Sequence, residues 1–347
     1  MATFYDEWLN AWVESEAERS AARISIQEEE YEWVETPQDD RSALLISRRN
    51  GFKTWGGVTM ISEIPPGHHT GQHKHGEECI YFLSGAGFSI VDGVRYDWKE
   101  GSMELVPFAA EHQHFNTSHV PARYVSALLV DLERYVGIHR TVQLDVKGRT
   151  TTIPDAPPSI DGRRPDGKRC VLHRADARPM VGDHGRADAE QWMREGHYDP
   201  DHPVVVRDWG GMQAIPMALH KEQIWSYMGI GSDEHDFEVF SCEMKGILVD
   251  KAHEYGGLHA HMEAHLFTLA GTGYSEVGDR RVDWKPGTAF HVQGPQTPHR
   301  HHNTSDEPMQ QLRIVYGIRY FFERLAERAY PYLFIQPAQS FLTGVPS

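Results

Sequence analysis

The chain has 347 residues and a formal net charge of −16. Nucleic acids and anionic membranes both require clustered Lys and Arg, so this charge excludes them as expected partners. A small anionic substrate stays possible, because one arginine inside a pocket outweighs distant and screened surface charge. The sequence has neither a run of about 18 apolar residues nor a charged-then-apolar amino terminus, so we expect no membrane span and no secretory signal.

The cysteines point to a reducing compartment. Cys79, Cys170 and Cys242 lie far apart and form no CxxC pair, which argues against a disulfide framework and against a thiolate zinc site. We therefore expect a cytoplasmic protein. The length suits two domains of ordinary size.

Predicted elements follow in a clear order along the chain. Residues 1–30 begin with MATFYDEWLNAWVESEAERS, which predicts an acidic amphipathic helix. Residues 31–146 alternate apolar and polar residues over short runs such as CIYFLSG and GFSIVDG, which predicts the strands of an all-β barrel or sandwich. The same pattern returns over residues 209–320.

The segments outside these two β-rich regions are of other kinds. Residues 147–208 form a connector rich in Pro, Asp, Gly and Arg, and its clearest helical signal is ADAEQWMRE. A connector this long is expected to wrap over a barrel or cover a site, with a flexible linker as the alternative. Residues 321–347 form a tail that is predicted to be helical as far as Pro331.

One histidine pattern is written twice. The segment QHKHGEECIYFLSGAG at 72–87 returns as LHAHMEAHLFTLAGTG at 258–273. A repeat this long, which slips by one residue in a loop, indicates a duplicated domain. The repeated pairs are separated by 186 positions, or by 187 for the last: His73 and His259, His75 and His261, Gly85 and Gly271, Gly87 and Gly273, Trp98 and Trp284, and His112 and His299.

The spacing within each copy allows a metal site. Residues i and i+2 of a strand point to the same face, so the two histidines of each HxH project together and a third ligand comes from elsewhere. Three neutral nitrogens leave open coordination positions, an arrangement that binds Fe(II), a substrate and O₂ together. The candidate metal ligands are His73, His75 and His112 in the first half and His259, His261 and His299 in the second.

A single HxH is more often a surface pair than a metal site. Here twelve of the 22 histidines fall in the four windows 68–75, 112–114, 259–265 and 299–302, and the pattern repeats. This concentration favours metal binding in at least one half. The other histidines in the windows have no fixed role; His114 is a candidate for catalysis or for orienting a ligand.

The two copies resemble the motifs of the cupin family, and the chain looks like a bicupin. This resemblance covers about two thirds of the chain. It implies two double-stranded β-helix (jelly-roll) barrels with an N-terminal helix, a long connector and a C-terminal helix, but it does not specify the reaction. The matching residues are Gly67, His73, His75, Glu78 and Gly85 for the first motif, and Gly101, Pro107, His112 and Asn116 for the second.

The first copy departs from the family pattern at its carboxylate. Two residues separate HxH from Glu78, where the family has three or four. Glu78 is therefore either a fourth metal ligand or a catalytic residue that faces the substrate.

The second copy departs further. Ala264 occupies the position of Glu78, and Pro298 is inserted before His299. A site there would have three histidines, with Glu263 or His265 as a possible substitute for the carboxylate. The fuller motif predicts that the first barrel holds the principal active site.

Among bicupins, the chain is most similar to the gentisate and salicylate 1,2-dioxygenase group. The resemblance implies Fe(II), with Mn(II) as the alternative, and O₂ as co-substrate. It implies ring cleavage of a hydroxylated aromatic acid such as gentisate, salicylate or a hydroxynaphthoate, and by analogy a homo-oligomer. Arg123 and Arg313 are the strand candidates for binding the substrate carboxylate, with surface pairing as the alternative for each.

Two alternatives remain. The first is another metal-dependent bicupin enzyme, either oxalate-decarboxylase-like with Mn(II) or quercetinase-like, and a glutamate ligand would favour manganese. The second is a noncatalytic binding or storage bicupin. Complete histidine triads in both halves count against storage, because a storage barrel has no chemical reason to keep convergent imidazoles.

Overall fold

The computed structural model describes residues 2–177, 179–180, 204–208, 211–215, 224–228, 230, 235–250, 252–253, 255, 258–260, 263–294, 297–316 and 334–336. Within these ranges no helix is long and apolar enough to cross a bilayer. The predicted N-terminal helix is present as α1 (Phe4–Ala21), and Thr3 and Asp6 form a capping box at its start. The helix predicted in ADAEQWMRE and the helical part of the predicted tail lie outside the described residues.

The first barrel consists of two antiparallel sheets. Its strands, after β1 (Ser25–Ile26), are β2 (Arg41–Ile46), β3 (Val58–Ile64), β4 (His68–His69), β5 (His73–Lys74), β6 (Glu78–Phe82), β7 (Ala86–Val91), β8 (Val94–Lys99), β9 (Ser102–Val106), β10 (His112–Asn116), β11 (Ala122–Leu128), β12 (Val142–Gln143), β13 (Gly148–Arg149) and β14 (Val171–His173). One sheet has the order β14-β9-β6-β11-β3-β2; the other has the order β12-β5-β10-β4-β13, with β7 paired to β10 and β8 to β7. The short helices are α2 (Val130–Tyr135) and two 3₁₀ turns at Glu28–Glu30 and Arg48–Asn50.

The second half repeats this arrangement. Its strands are β15 (Pro179–Met180), β16 (Val204–Asp208), β17 (Gly211–Ile215), β18 (Ile224–Met228), β19 (Cys242–Asp250), β20 (Leu258–Ala260), β21 (Ala264–Ala270), β22 (Gly273–Val277), β23 (Arg280–Trp284), β24 (Ala289–Val292), β25 (His299–Asn303), β26 (Met309–Tyr316) and β27 (Phe334–Gln336). The two barrel sheets have the orders β1-β24-β21-β26-β19-β18-β15 and β23-β22-β25-β20-β27, and β16 pairs with β17 separately. The predicted pair of jelly-roll barrels is confirmed.

The two faces of the central strands serve different cores. In β6, Ile80 and Phe82 belong to the core inside the first barrel. The alternate residues Cys79 and Tyr81 join a core that includes Phe267 of the second barrel. Because side chains alternate along a strand, one strand can contribute to both. Each fully buried apolar side chain contributes about 1.5–3 kcal/mol, so the face shared by the two barrels is a main source of stability.

The repeated glycines and tryptophans have one packing explanation. A Cβ on Gly87 would lie 1.8 Å from the carbonyl oxygen of Phe115 and 2.9 Å from the ring of Trp98. A Cβ on Gly273 would likewise lie 2.7 Å from the ring of Trp284. Only glycine permits this close approach of backbone and indole, which explains why both residue types return in the second copy.

The connector and the N-terminal segment both supply edge strands. The pairing of β13 with β4 and of β14 with β9 places the first part of the connector on the first barrel, as its wrapping alternative predicts. In the same way, β1 from the N-terminal segment pairs with β24 of the second barrel. Each barrel is therefore completed by chain that lies outside its own repeat.

Two buried carboxylates form hydrogen bonds that link one barrel to the other. Glu77 accepts backbone N–H bonds from Phe240 at 2.9 Å, Ser241 at 2.8 Å and Cys242 at 3.0 Å. Glu263, 186 positions later, accepts one from Trp55 at 3.0 Å. A buried N–H without a partner is costly, so each carboxylate helps to hold the backbone of the opposite barrel in place.

Replacing Glu77 with Ala is expected to destabilise the protein. The substitution removes the acceptor of three backbone N–H groups, of which that of Cys242 is buried and the other two are partly buried. The expected loss is about 2 kcal/mol in the free energy of unfolding. Urea denaturation measures the loss, with Glu14→Ala on exposed α1 as the control. Equal midpoints for the two variants would show that the Glu77 contacts do not stabilise the fold.

Candidate metal centre

The first barrel brings three histidines together. His73 opens β5 and His112 opens β10, and the two residues are direct partners across the antiparallel ladder. His75 follows His73 by two residues, and all three side chains are buried. One nitrogen of each lies within 4.8 Å of the others. The pairing of β5 with β10 thus brings together the three histidines that the HxH spacing predicts as a cluster.

Backbone carbonyls fix the tautomer of each ring. His73 Nδ1 donates to Gly71 O at 2.8 Å, His75 Nδ1 to Gly76 O at 2.8 Å, and His112 Nδ1 to Ala110 O at 2.9 Å. A carbonyl oxygen can only accept, so each Nδ1 carries the proton. In the neutral ring, Nε2 therefore carries the lone pair, which is the form of histidine that binds a metal.

The buried Nε2 atoms identify what the centre can hold. Among the described residues, His73 Nε2 and His112 Nε2 have no hydrogen-bond partner, and neither has Glu78 Oε2. Buried polar atoms are rarely left in this state, because the loss of water is not repaid. A divalent cation would pair with all three, so these residues fit a metal ion.

Glu78 lies at the centre in spite of its short spacing from the HxH motif. Its Oε2 is 3.3 Å from His75 Nε2 and 3.7 Å from His112 Nε2, and the side chain is buried. Burial by itself raises the pKa of Glu78, but the hydrogen bond and charge of His75 outweigh burial and hold this pKa well below its usual value. Glu78 therefore presents an ionised oxygen within reach of a shared cation.

Burial keeps two of the three histidines in the neutral form. Loss of solvent lowers the pKa of His73 to about 4 and lowers that of His112 well below its usual value. Burial acts in the same direction on His75, but Glu78 outweighs it and raises this pKa above its ordinary value. His73 and His112 are therefore unprotonated at neutral pH and ready to coordinate.

A second polar group lines the same barrel. His114 Nδ1 lies 2.6 Å from Ser89 Oγ, and Ser89 donates to Glu104 Oε2 at 2.7 Å. Burial, reinforced by the charge of Glu78, raises the pKa of Glu104 to about 8 against the opposing Ser89 hydrogen bond. Burial likewise lowers the pKa of His114 to about 4. This wall of the barrel thus carries a protonated carboxyl and a neutral imidazole at neutral pH.

Arg123 is not brought to the histidines. It shares its face of β11 with Val125 and Ala127, which belong to the core between the barrels. Its guanidinium donates to Glu28 at 2.9 Å and lies over the Trp33 ring. The expected carboxylate-binding role therefore has no support from this position, and the surface-pairing alternative describes it better.

The second barrel repeats part of the cluster. His259 pairs with His299 across the ladder, as His73 pairs with His112. His299 Nδ1 lies 2.9 Å from Thr297 O, which fixes the same tautomer as in the first barrel. The side chain of His259 and the whole of His261 lie outside the described residues, so their part in a second triad stays a prediction.

Arg313 belongs to the second barrel. In β26 it alternates with Leu312 and Ile314 of the inter-barrel core, so it shares the face of Val315 inside the barrel. Burial lowers the pKa of His301 to about 3, and the charges of His302 and Arg313 contribute. Arg313 therefore lies near the position that corresponds to His114, in the other barrel from the His73 cluster.

Glu263 and His265, the expected substitutes in the second copy, lie elsewhere. His265 faces the inter-barrel core, where Thr59 Oγ1 is 2.7 Å and Tyr316 OH 3.0 Å from its Nδ1. Glu263 and His291 join it there, and the three form a second buried cluster whose donor atoms lie within 4.8 Å of one another. Burial opposes the charge of Glu263, but both histidines outweigh it and lower the pKa of this carboxyl to about 2.

Sequence reasoning missed Glu104, Ser89 and His291. Glu104 stands in the strand SMELV, where a charged residue between apolar ones is a signal of a functional interior position. Ser89 returns as Ser275 after 186 positions, but serine repeats too often for this to be specific. His291 has Leu105 as its counterpart, so comparing the copies hides it.

The comparisons agree with this architecture. The Cupin domain model matches residues 60–128 and 247–315. No curated protein matches the sequence. Among solved structures, salicylate 1,2-dioxygenase from Pseudoaminobacter salicylatoxidans with gentisate is 13% identical, with 81% of this chain and 72% of that chain covered and a TM-score of 0.50.

Oxalate decarboxylase is also similar, with higher TM-scores and a slightly lower identity. One structure of it is 11% identical over 94% of this chain and 87% of that chain, with a TM-score of 0.57. A mutant of the Bacillus subtilis enzyme is 11% identical over 88% and 84%, with a TM-score of 0.55. At these identities the likeness establishes the fold, and each half of the chain contains one segment that matches the Cupin domain model.

Proposed function

We propose that the protein is an Fe(II)-dependent dioxygenase that cleaves the ring of a hydroxylated aromatic acid at the first-barrel centre. The observation that carries this proposal is the cluster of buried Nε2 lone pairs of His73, His75 and His112, each fixed by a carbonyl at Nδ1. Neutral ligands leave the charge of Fe(II) to be balanced by a substrate carboxylate and phenolate. They also leave coordination positions for both substrates.

The iron would supply redox chemistry that the side chains cannot. Bound Fe(II) would provide a Lewis acid for the chelating acid and electrons for the activation of O₂. The protein's part is to hold the three imidazoles in one orientation and to exclude water. The carbonyl contacts at Nδ1 fix the orientation of the imidazoles. Water is excluded because His73, His112 and Glu78 are each no more than 3% exposed.

The polar wall offers a neutral imidazole to the substrate. We assign His114 as the group that accepts a hydrogen bond from the substrate hydroxyl. Its Nδ1 lies 2.6 Å from Ser89 Oγ, and Ser89 is held in turn by Glu104 at 2.7 Å. Phe290 occupies the position of Glu104 in the second barrel, which supports the first barrel as the principal site.

A second candidate function follows from Glu78. Its carboxylate lies close enough to His75 and His112 to complete a set of three imidazoles and one carboxylate. An anionic fourth ligand leaves only one positive charge of the metal to be balanced, which disfavours a dianionic aromatic chelate and suits a substrate that binds through one carboxylate. Carboxylate ligands also suit Mn(II). The second candidate is therefore an Mn(II)-dependent enzyme of the oxalate-decarboxylase kind.

Metal loading and oxygen uptake distinguish the two functions. We expect the protein loaded with Fe(II) to consume O₂ with at least one member of a panel of hydroxybenzoates and hydroxynaphthoates, with loss of the aromatic absorbance. Loading with Mn(II) and release of CO₂ from oxalate would instead favour the second candidate. If neither metal supports turnover of any substrate, both proposals fail.

The two barrels should contribute unequally. His73→Ala or His112→Ala removes a ligand of the first centre, and we expect turnover to fall by at least about 1,000-fold, consistent with loss of the metal's contribution to the chemical step. His259→Ala is the matched variant in the second barrel and should have the smaller effect. Steady-state rates with the accepted substrate measure this, and equal or reversed losses would place the principal site in the second barrel.

Glu78 can be tested separately from activity. If its carboxylate is a ligand, Glu78→Gln should weaken binding of Mn(II) at the first centre by at least about 10-fold. Glu104→Gln is the matched control, since it changes a buried carboxyl of the same barrel that contacts His114 but none of the three ligand histidines. Metal titration of the stripped protein measures the affinities, and equal values for the two variants would exclude Glu78 as a ligand.

A further inference from the structure

A second cluster of metal-binding side chains lies between the barrels, apart from both HxH motifs. His265 of β21 and His291 of β24 are direct partners across the ladder. Glu263 precedes β21, and its Oε1 lies 2.8 Å from His291 Nε2 and 3.3 Å from His265 Nε2. All three side chains are at most 1% exposed. The cluster is therefore sealed from solvent.

The geometry suits a shared ion. Donor atoms bound to one Zn(II) at about 2.1 Å, with tetrahedral angles between them, lie about 3.4 Å apart. The two contacts of Glu263 Oε1 are 2.8 and 3.3 Å, so the donor atoms are already close to the separation that a shared ion needs. The His265 and His291 rings stand nearly perpendicular, at 85° with centroids 5.0 Å apart, so neither blocks the other from a common point.

Neighbouring residues hold the side chains of His265 and Glu263 in fixed orientations through hydrogen bonds. Thr59 Oγ1 and Tyr316 OH hold His265 at Nδ1, at 2.7 and 3.0 Å, and leave its Nε2 toward Glu263. The backbone N–H of Trp55 binds the Glu263 carboxylate at 3.0 Å. Two of these partners, Thr59 and Trp55, come from the first half of the chain, so both barrels build the site.

The negative charge of the buried Glu263 carboxylate favours binding of a cation. A buried carboxylate is costly unless hydrogen bonds or a positive charge compensate it. Glu77, its counterpart, accepts three backbone N–H bonds and the Ser241 hydroxyl. In the described part of the chain, Glu263 accepts a backbone N–H from Trp55 alone, and its ion-pair partners are imidazoles.

We infer that Glu263, His265 and His291 form a metal site between the barrels for a first-row divalent cation, with Zn(II) as the best match. Two imidazoles and one carboxylate are a ligand set that Zn(II) takes, with the fourth position left for a water molecule. The first half has Glu77, Cys79 and Leu105 at the corresponding positions, so the site belongs to the second copy alone. The ion would link the second barrel to the first through Trp55 and Thr59.

His291→Leu tests the site with a residue that the equivalent position of the first copy already accommodates. The full-length protein is stripped with a chelator, reloaded with Zn(II) and freed of excess metal. We expect the wild-type protein to retain one more Zn(II) per chain than His291→Leu. We also expect Zn(II) to raise the thermal unfolding midpoint more in the wild type.

Glu77→Gln is the matched control, because it changes the corresponding carboxylate, which has no histidine beside it. This variant should retain the wild-type zinc content. If His291→Leu does not fold, Glu263→Gln provides the same comparison. Equal zinc content in the wild type and in the variant of the cluster would overturn the inference, whatever metal the first-barrel centre holds.

Discussion

The structure depends on the face that the two barrels share. Strands β6 and β11 of the first barrel and β21 and β26 of the second are buried on both sides, one side in a barrel and the other between barrels. Alternation of side chains along a strand therefore assigns each residue either to a barrel interior or to the interface. This constraint explains why Arg123, on the side of β11 that faces the second barrel, cannot join His73 and His112.

The carbonyl contacts at Nδ1 are the second constraint. They set the proton position of each imidazole through the backbone, so the ligand form of the histidines is established by the fold itself. Gly71, Gly76 and Ala110 supply these carbonyls, and none of them would be marked as functional by its side chain. The first-barrel centre is therefore preorganised by residues whose identity matters little and whose backbone position matters greatly.

Much of this fold could be predicted from sequence, because duplication makes each copy a test of the other. The HxH spacing and the third histidine were enough to predict the first triad, because residues two apart on a strand lie on the same face. Arg123 shows the limit, because its distance from the site depends on which face of β11 is buried against the partner barrel. The Glu263 cluster shows another limit, since its partners Thr59 and Trp55 lie more than 200 positions earlier in sequence.

Because each barrel is completed by an edge strand from outside its own repeat, parts of the chain that are far apart in sequence must meet during folding. The second barrel is completed by β1, which pairs with β24 some 260 positions later, while the first is completed by β14 from the connector. Contacts between residues so far apart in sequence form late in folding, because the loop between them is costly in entropy to close. During synthesis, Ser25 and Ile26 therefore remain without their native partners until nearly the whole chain has left the ribosome.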